Sequence, residues 1–436
     1  MRSFLRLSLL RRFLRAVQAD GPVAACRRAW GYLRRRALGH TATGLAYAAP
    51  GPGGGALPYL GGIWTTLARQ GAFHVTAAPA TLQKRRKIAL IGDLNLPQCR
   101  KYRVEQLVEL WRRLDVDLDY AHFQDVPRSV AILQEATHLF CYRLQAQPIV
   151  STYLYEARRL GLPILYDIDD PLFSVPAYET YGNMAVLGAA ARAHFVAQAP
   201  GYLDVMNAAD RVSVSTPGLA DHARQLTQRP VHLRCNFADC ATLRAGRAAA
   251  TGRIDDGLFR VAFVSGSQGH EADFETISDP LLTFLEGGAN RRLMICGHFD
   301  RTRLDPRILS RTQWHGFAGY DGYLRTLAQA DCIIAPLADD LFNRCKSAVR
   351  GIDAAAVGVP VIASAVGDFP HLIRHGQTGF IADAPMDWAA LLETLANDPE
   401  AARGIGAAAR RVLERDWSSA NVTRIMDTAL CDWVLA

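Results

Sequence analysis

Several short clusters combine residue types that handle phosphate, sugar hydroxyls or protons, and each stands where an apolar run gives way to small residues. The first is Ser265-Gly266-Ser267-Gln-Gly-His270-Glu-Ala-Asp273, directly after Phe259-Arg-Val-Ala-Phe-Val. Small residues at a strand end let backbone amides approach a phosphate, and a following helix start adds its positive end. His270 and Asp273 lie one helical turn apart, so both can address one ligand; a tight turn with a capping Ser or His is the plainer reading. The second cluster runs from Pro336 to Pro360 and reads as a loop entering a helix that opens near Asn343. Lys346 and Ser347 fall near its first turn, with Arg350 one turn on and Asp353 on the same side. Cations beside free helix amides suit a diphosphate, and a deeper carboxylate suits ribose hydroxyls. Idle charges on an exposed helix would look the same. Gly367-Asp-Phe-Pro370 is a third glycine turn after a strand.

Two clusters lie in the first half. Tyr166-Asp167-Ile-Asp169-Asp170 closes an apolar run, and its three carboxylates invite a divalent-metal reading. A helix end and a lysine can neutralise a diphosphate without metal, so no metal is expected. Asp169 or Asp170 then serves as a base, or as the hydroxyl partner that the resemblance described below implies, and with Lys346 they form the candidate catalytic set. Arg100-Lys101-Tyr102-Arg103 offers cations to a phosphate or anionic acceptor, or merely places charge at a helix start.

The elements that must position these clusters follow from hydrophobic periodicity. Lys87–Gly92 reads as a first strand, followed by a helix over Tyr102–Leu114, strands at Thr137–Cys141 and Pro163–Tyr166, a helix over Pro200–Ala209 and a strand at Arg211–Ser215. After a polar stretch around Arg244–Gly257 the pattern restarts with Phe259–Ser265, Arg292–Gly297, Cys332–Ala335 and Val359–Ala363. Such alternation predicts two consecutive doubly wound α/β domains, whose ligands bind beyond the carboxyl ends of the strands. Gly-x-Gly-x-x-Gly follows neither first strand, which argues against a nicotinamide or flavin. The expected division is 1–85 for a basic head and Pro/Gly linker, 86–245 and 257–415 for the two domains, and 416–436 for a helix returning to the first.

Length and charge narrow the function classes. The chain has 436 residues, half of them apolar and 21% charged, which excludes a wholly disordered protein. No apolar run reaches the length of a membrane-spanning helix. Nine scattered cysteines without a Cys-x-x-Cys pair fit reduced thiols in a cytosolic compartment. Of the net charge of +7, residues 1–40 contribute +9 through ten arginines and one aspartate, so the remainder carries −2. A nucleic-acid enzyme would spread positive charge over its folded face, and this body does not. In the head, Leu7, Leu10, Phe13, Leu14 and Val17 oppose Arg11, Arg12 and Arg15. Val23, Cys26, Trp30, Leu33 and Ala37 then recur among Arg27, Arg28, Arg34, Arg35 and Arg36. Amphipathic basic helices of this kind lie in the headgroup region of anionic bilayers. A transit peptide and a solvated helix are the alternatives. Ala48-Ala-Pro-Gly-Pro-Gly-Gly-Gly55 reads as linker.

The second half resembles the donor domain of GT-B glycosyltransferases, in particular glycosyltransferase family 4 and its bacterial polysaccharide-type relatives. The resemblance is carried by Phe259–Phe274, Trp314-His-Gly-Phe317-Ala-Gly-Tyr320, Ala330-Asp-Cys-Ile-Ile-Ala-Pro-Leu337, Phe342-Asn-x-x-Lys-Ser, Gly358-Val-Pro-Val-Ile-Ala-Ser364 and Ile373-x-x-Gly-x-x-Gly-Phe-Ile. It implies a GT-B fold, two Rossmann-like domains facing a central cleft, with the amphipathic head as an N-terminal extension. It implies a nucleoside-diphosphate sugar as co-substrate and no other cofactor, and a base packed near Trp314–Phe317. It also implies a retaining outcome and donor contacts from Ser265, Gly266, Ser267, His270, Asp273, Phe317, Asn343, Lys346, Ser347, Arg350, Asp353 and Gly367. Where the family has a Glu, seven residues and a second Glu, this chain has Cys345 and Asp353, leaving Asn343 and Lys346 as substitute donor ligands. The first half is similar to the acceptor domain through Arg100–Arg103, Asp167–Asp170, Asp210-Arg-Val-Ser-Val-Ser-Thr216-Pro-Gly-Leu219 and Cys235-Asn-Phe237. The expected activity is sugar transfer to a lipid-linked or polysaccharide hydroxyl acceptor at the cytoplasmic membrane face, with no nucleic-acid partner. A catalytically impaired donor-binding or scaffold subunit, or a sugar-nucleotide epimerase, are the alternatives.

Overall fold

Short apolar runs bounded by Gly, Pro and Asp form the strands of two parallel six-stranded sheets. The computed structural model describes residues 13–14, 17–18, 21–37, 85–266, 270–316 and 318–436, and the chain falls into two units, 1–74 and 75–436. The apolar face expected around Leu7 and Leu10, the linker Ala48–Gly55, Ser267 and Phe317 lie outside the described residues. In the first unit the main described element is a helix, Pro22–Ala37, in which Val23 and Trp30 are 73% and 71% exposed. No described helix is long and apolar enough to cross a membrane.

In the second unit, the first sheet comprises β1 (Lys87–Gly92), β2 (Asp117–His122), β3 (His138–Tyr142), β4 (Ile164–Ile168), β5 (Arg211–Val214) and β6 (Val231–Leu233), in the order β2-β1-β3-β4-β5-β6. The second comprises β7 (Phe259–Ser265), β8 (Arg291–Gly297), β9 (Thr312–His315), β10 (Cys332–Ala335), β11 (Val361–Ser364) and β12 (Phe380–Ala382), in the order β12-β11-β10-β7-β8-β9. The central strands are buried on both sides, as parallel sheets covered by helices require. Strand order reverses at β1/β3 in one sheet and at β7/β10 in the other. Loops there diverge and leave room for a ligand, which puts Ser265 and the segment after Ala335 at a switch point.

The polar stretch Arg244–Gly257 is not an open linker. Asp239 caps a helix, Cys240–Thr251, by accepting from the Thr242 amide at 2.7 Å. The chain returns at Trp417: its carbonyl accepts from the Ala238 amide, and Ala238 in turn accepts from the Ser419 amide. Beyond it, Ile425, Met426, Leu430, Cys431 and Val434 pack in the core of the first domain with Ile88, Leu90 and Trp111.

Candidate functional site

The loop after β10 is built differently from the single helix expected to open near Asn343. Asp340 accepts from the Asn343 amide at 2.8 Å and caps a four-residue helix, Leu341–Arg344. The chain turns at Cys345–Ala348 before a second helix, Val349–Val357, ending on Gly358 at φ 73°. Gly367 fixes that turn. Its φ is 67°, and a Cβ there would stand 2.7 Å from the Lys346 carbonyl and 2.9 Å from that of Asn343. Gly367 therefore shapes the loop from beneath instead of facing a ligand.

Asp273, wholly buried in the helix Glu271–Glu275, is the hub of the site. It accepts from Asn343 Nδ2 at 2.8 Å, the Ala338 amide at 3.0 Å and Asn183 Nδ2, from the first domain, at 2.7 Å. His270 Nδ1 lies 3.6 Å away and Lys346 Nζ 3.9 Å. Burial alone would raise the Asp273 carboxyl, but His270, Lys346 and the Ala338 amide hold it well below its ordinary range. Burial, then the field of Lys346, pushes His270 down to about 4, so it is neutral at pH 7. Lys346 is raised, because Tyr181 and Asp273 outweigh its burial. Arg350 Nη1 is buried without a partner, and burial lowers that guanidinium. Asn343 Oδ1 is likewise buried and unpaired. Ser265 is buried at the end of β7, while Gly266 is exposed with Gln98 of the first domain opposite. Ser347 Oγ accepts from Asn236 of the first domain.

Asp353 departs from the expected ribose ligand. It is 3% exposed, and its oxygens accept from Tyr102, from Tyr320 at 2.7 Å and from Tyr323 at 3.1 Å. Burial raises it to about 6 despite these three donors. Tyr102 reaches it because the helical segment Pro97–Arg112 contains a one-turn π segment, Lys101–Glu105, of the kind that re-aims side chains. Cys345 is also enclosed. Its thiol faces the Gly218 carbonyl, and its own carbonyl accepts from Thr216.

The Arg100–Arg103 cluster does not form one anion receptor. Arg103 is wholly buried, pairing with Asp167 at 2.5 and 3.1 Å and donating to the Arg234 carbonyl and Asn236. Lys101 pairs with Asp239 at 2.8 Å, Tyr102 is on Asp353, and Arg100 pairs with Glu105 at 2.7 Å. The Asp-rich segment also divides. Asp167 is held below its ordinary range by Arg103 and Arg234 against its burial. Asp169 accepts from Tyr142, and Arg143 Nη1 lies 3.5 Å from Asp169 and 3.8 Å from Asp170. Burial and the Asp169 charge raise Asp170, while Arg143 and Lys346 act against them. Asp170 thus lies within the field of the lysine across the cleft. Among the described residues no cluster of three His, Cys, Asp or Glu is arranged to hold a metal. Trp314 packs on the second core with the Arg301 guanidinium 4.3 Å from its ring centroid, so one face already has a cover.

Sequence reading missed Arg143 and Tyr181. Arg143 carries a faint signal, following an apolar strand directly; its φ of 51°, rare for a side chain of this size, does not show in sequence. Tyr181 carries none, because its partner Lys346 is 165 residues away.

Residues 278–398 match a family model described as "Glycosyl transferases group 1". The chain is similar to D-inositol 3-phosphate glycosyltransferase of Pseudarthrobacter chlorophenolicus, 35% identical over 92 residues (20% of this chain, 21% of that protein). It is also similar to glycogen synthase of Mycobacterium tuberculosis, 31% identical over 114 residues, or 26% of each. The chain thus spans about a fifth to a quarter of these relatives. Among solved structures, sucrose-phosphate synthase from Thermosynechococcus elongatus superposes with TM-score 0.53 at 17% identity, over 78% of this chain and 96% of that one. Anabaena HepE in complex with UDP and glucose gives 0.50 at 12%, over 78% and 97%. These likenesses bear on the fold.

Proposed function

From the premise that residues 278–398 carry a group 1 glycosyltransferase signature within a GT-B fold, we propose that this protein transfers a sugar from a nucleoside-diphosphate sugar to a hydroxyl acceptor. The observation that carries the reading is the pair Lys346 and Arg350 beside the end of β7, with Arg350 Nη1 buried and unpartnered. A buried guanidinium nitrogen without an acceptor is costly, and a diphosphate oxygen satisfies it. Lys346 and Arg350 set positive charge against Asp273 and Asp340 where negative charge grows as the glycosidic bond breaks. The exposed Gly266 backbone follows directly at the end of β7. The Asp353 role on the ribose requires Tyr102 to yield, since a ribose hydroxyl and the tyrosine would use the same oxygens.

Asp170, on the loop after β4 and within the field of Lys346, is read as the partner of the acceptor hydroxyl, with Asp169 beside it. The reaction is read as metal-independent, because lysine and guanidinium supply the counter-charge, and as retaining on the family resemblance alone. The basic head holds the protein at the inner face of the cytoplasmic membrane, and a lipid-linked or glycan acceptor suits that position. HepE's complex with UDP makes UDP a sensible first nucleotide to test.

The test is to incubate the full-length protein with UDP-, GDP- and ADP-sugars and a membrane-lipid extract, following nucleotide release and sugar entry into the lipid phase, with and without chelator. Release that depends on the extract and survives chelation is expected. Sugar isomerisation without an acceptor would instead favour an epimerase, and a strict metal requirement would overturn the metal-free reading.

A further inference from the structure

Three consecutive first-domain residues, Tyr181, Gly182 and Asn183, end in the second domain beside Lys346. Tyr181 Oη accepts from Lys346 Nζ at 2.7 Å, and the ammonium sits 4.8 Å from the centroid of the Tyr181 ring. That ring stacks on Phe342, with centroids 4.2 Å apart and planes at 11°. The Gly182 amide donates to Asp340 Oδ2 at 3.3 Å. Asn183 Nδ2 donates to Asp273 Oδ2 at 2.7 Å, while its Oδ1 accepts from the amides of Ala272 and Asp273 at 3.1 and 3.3 Å.

The consequence is the position of Lys346. Its Nζ stays 3.9 Å from Asp273 Oδ2, beyond hydrogen-bond distance. Opposite charges in so enclosed a place are drawn to about 2.8 Å when nothing intervenes. Here the carboxylate oxygen nearest the lysine is already engaged by the Asn183 amide. The ammonium is drawn to a neutral hydroxyl and a ring face, which orient it without cancelling its charge. Closed on Asp273, Lys346 would direct its N–H donors to the carboxylate and away from a phosphate. The neighbouring groups do not replace it: His270 is neutral, and Arg350 projects from the following helix.

Building on the reading of Lys346 as a diphosphate ligand, we propose that Tyr181 is a positioning residue for the donor. With Asn183 on Asp273, it holds Lys346 away from the carboxylate and directs its charge at the terminal phosphate of the leaving nucleoside diphosphate. The first domain thereby contributes to the donor site of the second.

Tyr181→Phe keeps the ring on Phe342 and removes only the hydroxyl. Full-length wild type and variant are titrated calorimetrically with UDP, GDP and ADP, and the nucleotide that binds is compared with its monophosphate. Tyr181→Phe is expected to weaken the diphosphate by about five- to tenfold, to leave the monophosphate within about twofold, and to leave the melting temperature unchanged. Asn183→Ala is expected to give the same selective loss. Equal weakening of both nucleotides would indicate a merely structural tyrosine and overturn the proposal, as would unchanged or tighter diphosphate binding. Wild type that binds none of the three diphosphates would defeat the diphosphate reading itself, a result distinct from loss of selectivity.

Discussion

Asp353 shows how a residue's surroundings decide what it can do. Three tyrosine hydroxyls donate to it, yet burial dominates and raises its carboxyl from an ordinary value of 3.8 to about 6. Between those two values the folded protein binds the proton and the unfolded chain does not. The contribution of this group to stability is therefore greatest below about pH 4, is lost as pH rises through 6, and is flat above. An Asp353→Asn variant lacks that titration. Its stability relative to wild type is expected to improve between pH 4 and pH 7 by up to about 3 kcal/mol, read as a pH-dependent difference in melting temperature. A difference that stays constant with pH would mean that the carboxylate does not titrate among the tyrosines.

At the scale of elements, the helix Pro217–Leu226 of the first domain packs tightly on the site loop of the second. A Cβ on Gly218 would lie 2.4 Å from the Arg344 carbonyl, a backbone atom that cannot swing aside. Gly218→Ala is expected to cost about 1–3 kcal/mol and to part the domains. The checks are a lower melting temperature and a larger radius of gyration in solution scattering; an unchanged protein would show that this contact is not closed in solution. The strands that were legible in sequence are apolar runs ending in a small residue, and β1, β7 and β10 match their expected spans. β2 escaped because Asp117-Leu-Asp-Tyr-Ala-His122, at a sheet edge, is no continuous apolar run, and β6, β9 and β12 because three or four residues carry no period. The helix Ala189–Ala208 extends well upstream of the expected Pro200, since its Ala-rich first half is exposed and has no apolar stripe. The break at Cys345–Ala348 packs against Gly367 from a later turn, a contact that local spacing does not show. Asn343, Lys346 and Arg350 stand out as one local cluster in sequence, and Tyr102 is visible but its pairing with Asp353 is not; Tyr181 and Asn183, from the other domain, carry no signal.

For the whole molecule, charge is divided between a strongly basic head and a slightly acidic body. The described head helix leaves Val23, Trp30 and Leu33 exposed, an arrangement suited to the interface of an anionic bilayer. Removing residues 1–40 is expected to release the protein from vesicles containing an anionic phospholipid, measured by co-sedimentation, while the melting temperature of the body is retained. Equal sedimentation of both forms would place the attachment elsewhere. Within the body, Tyr181 and Asn183 of the first domain reach Lys346 and Asp273 of the second. The most direct measurement is calorimetric titration of UDP, GDP and ADP into full-length wild type and Lys346→Ala. Wild type is expected to bind at least one of them and Lys346→Ala none, with no change in fold; equal affinity in both would contradict a diphosphate held by this lysine.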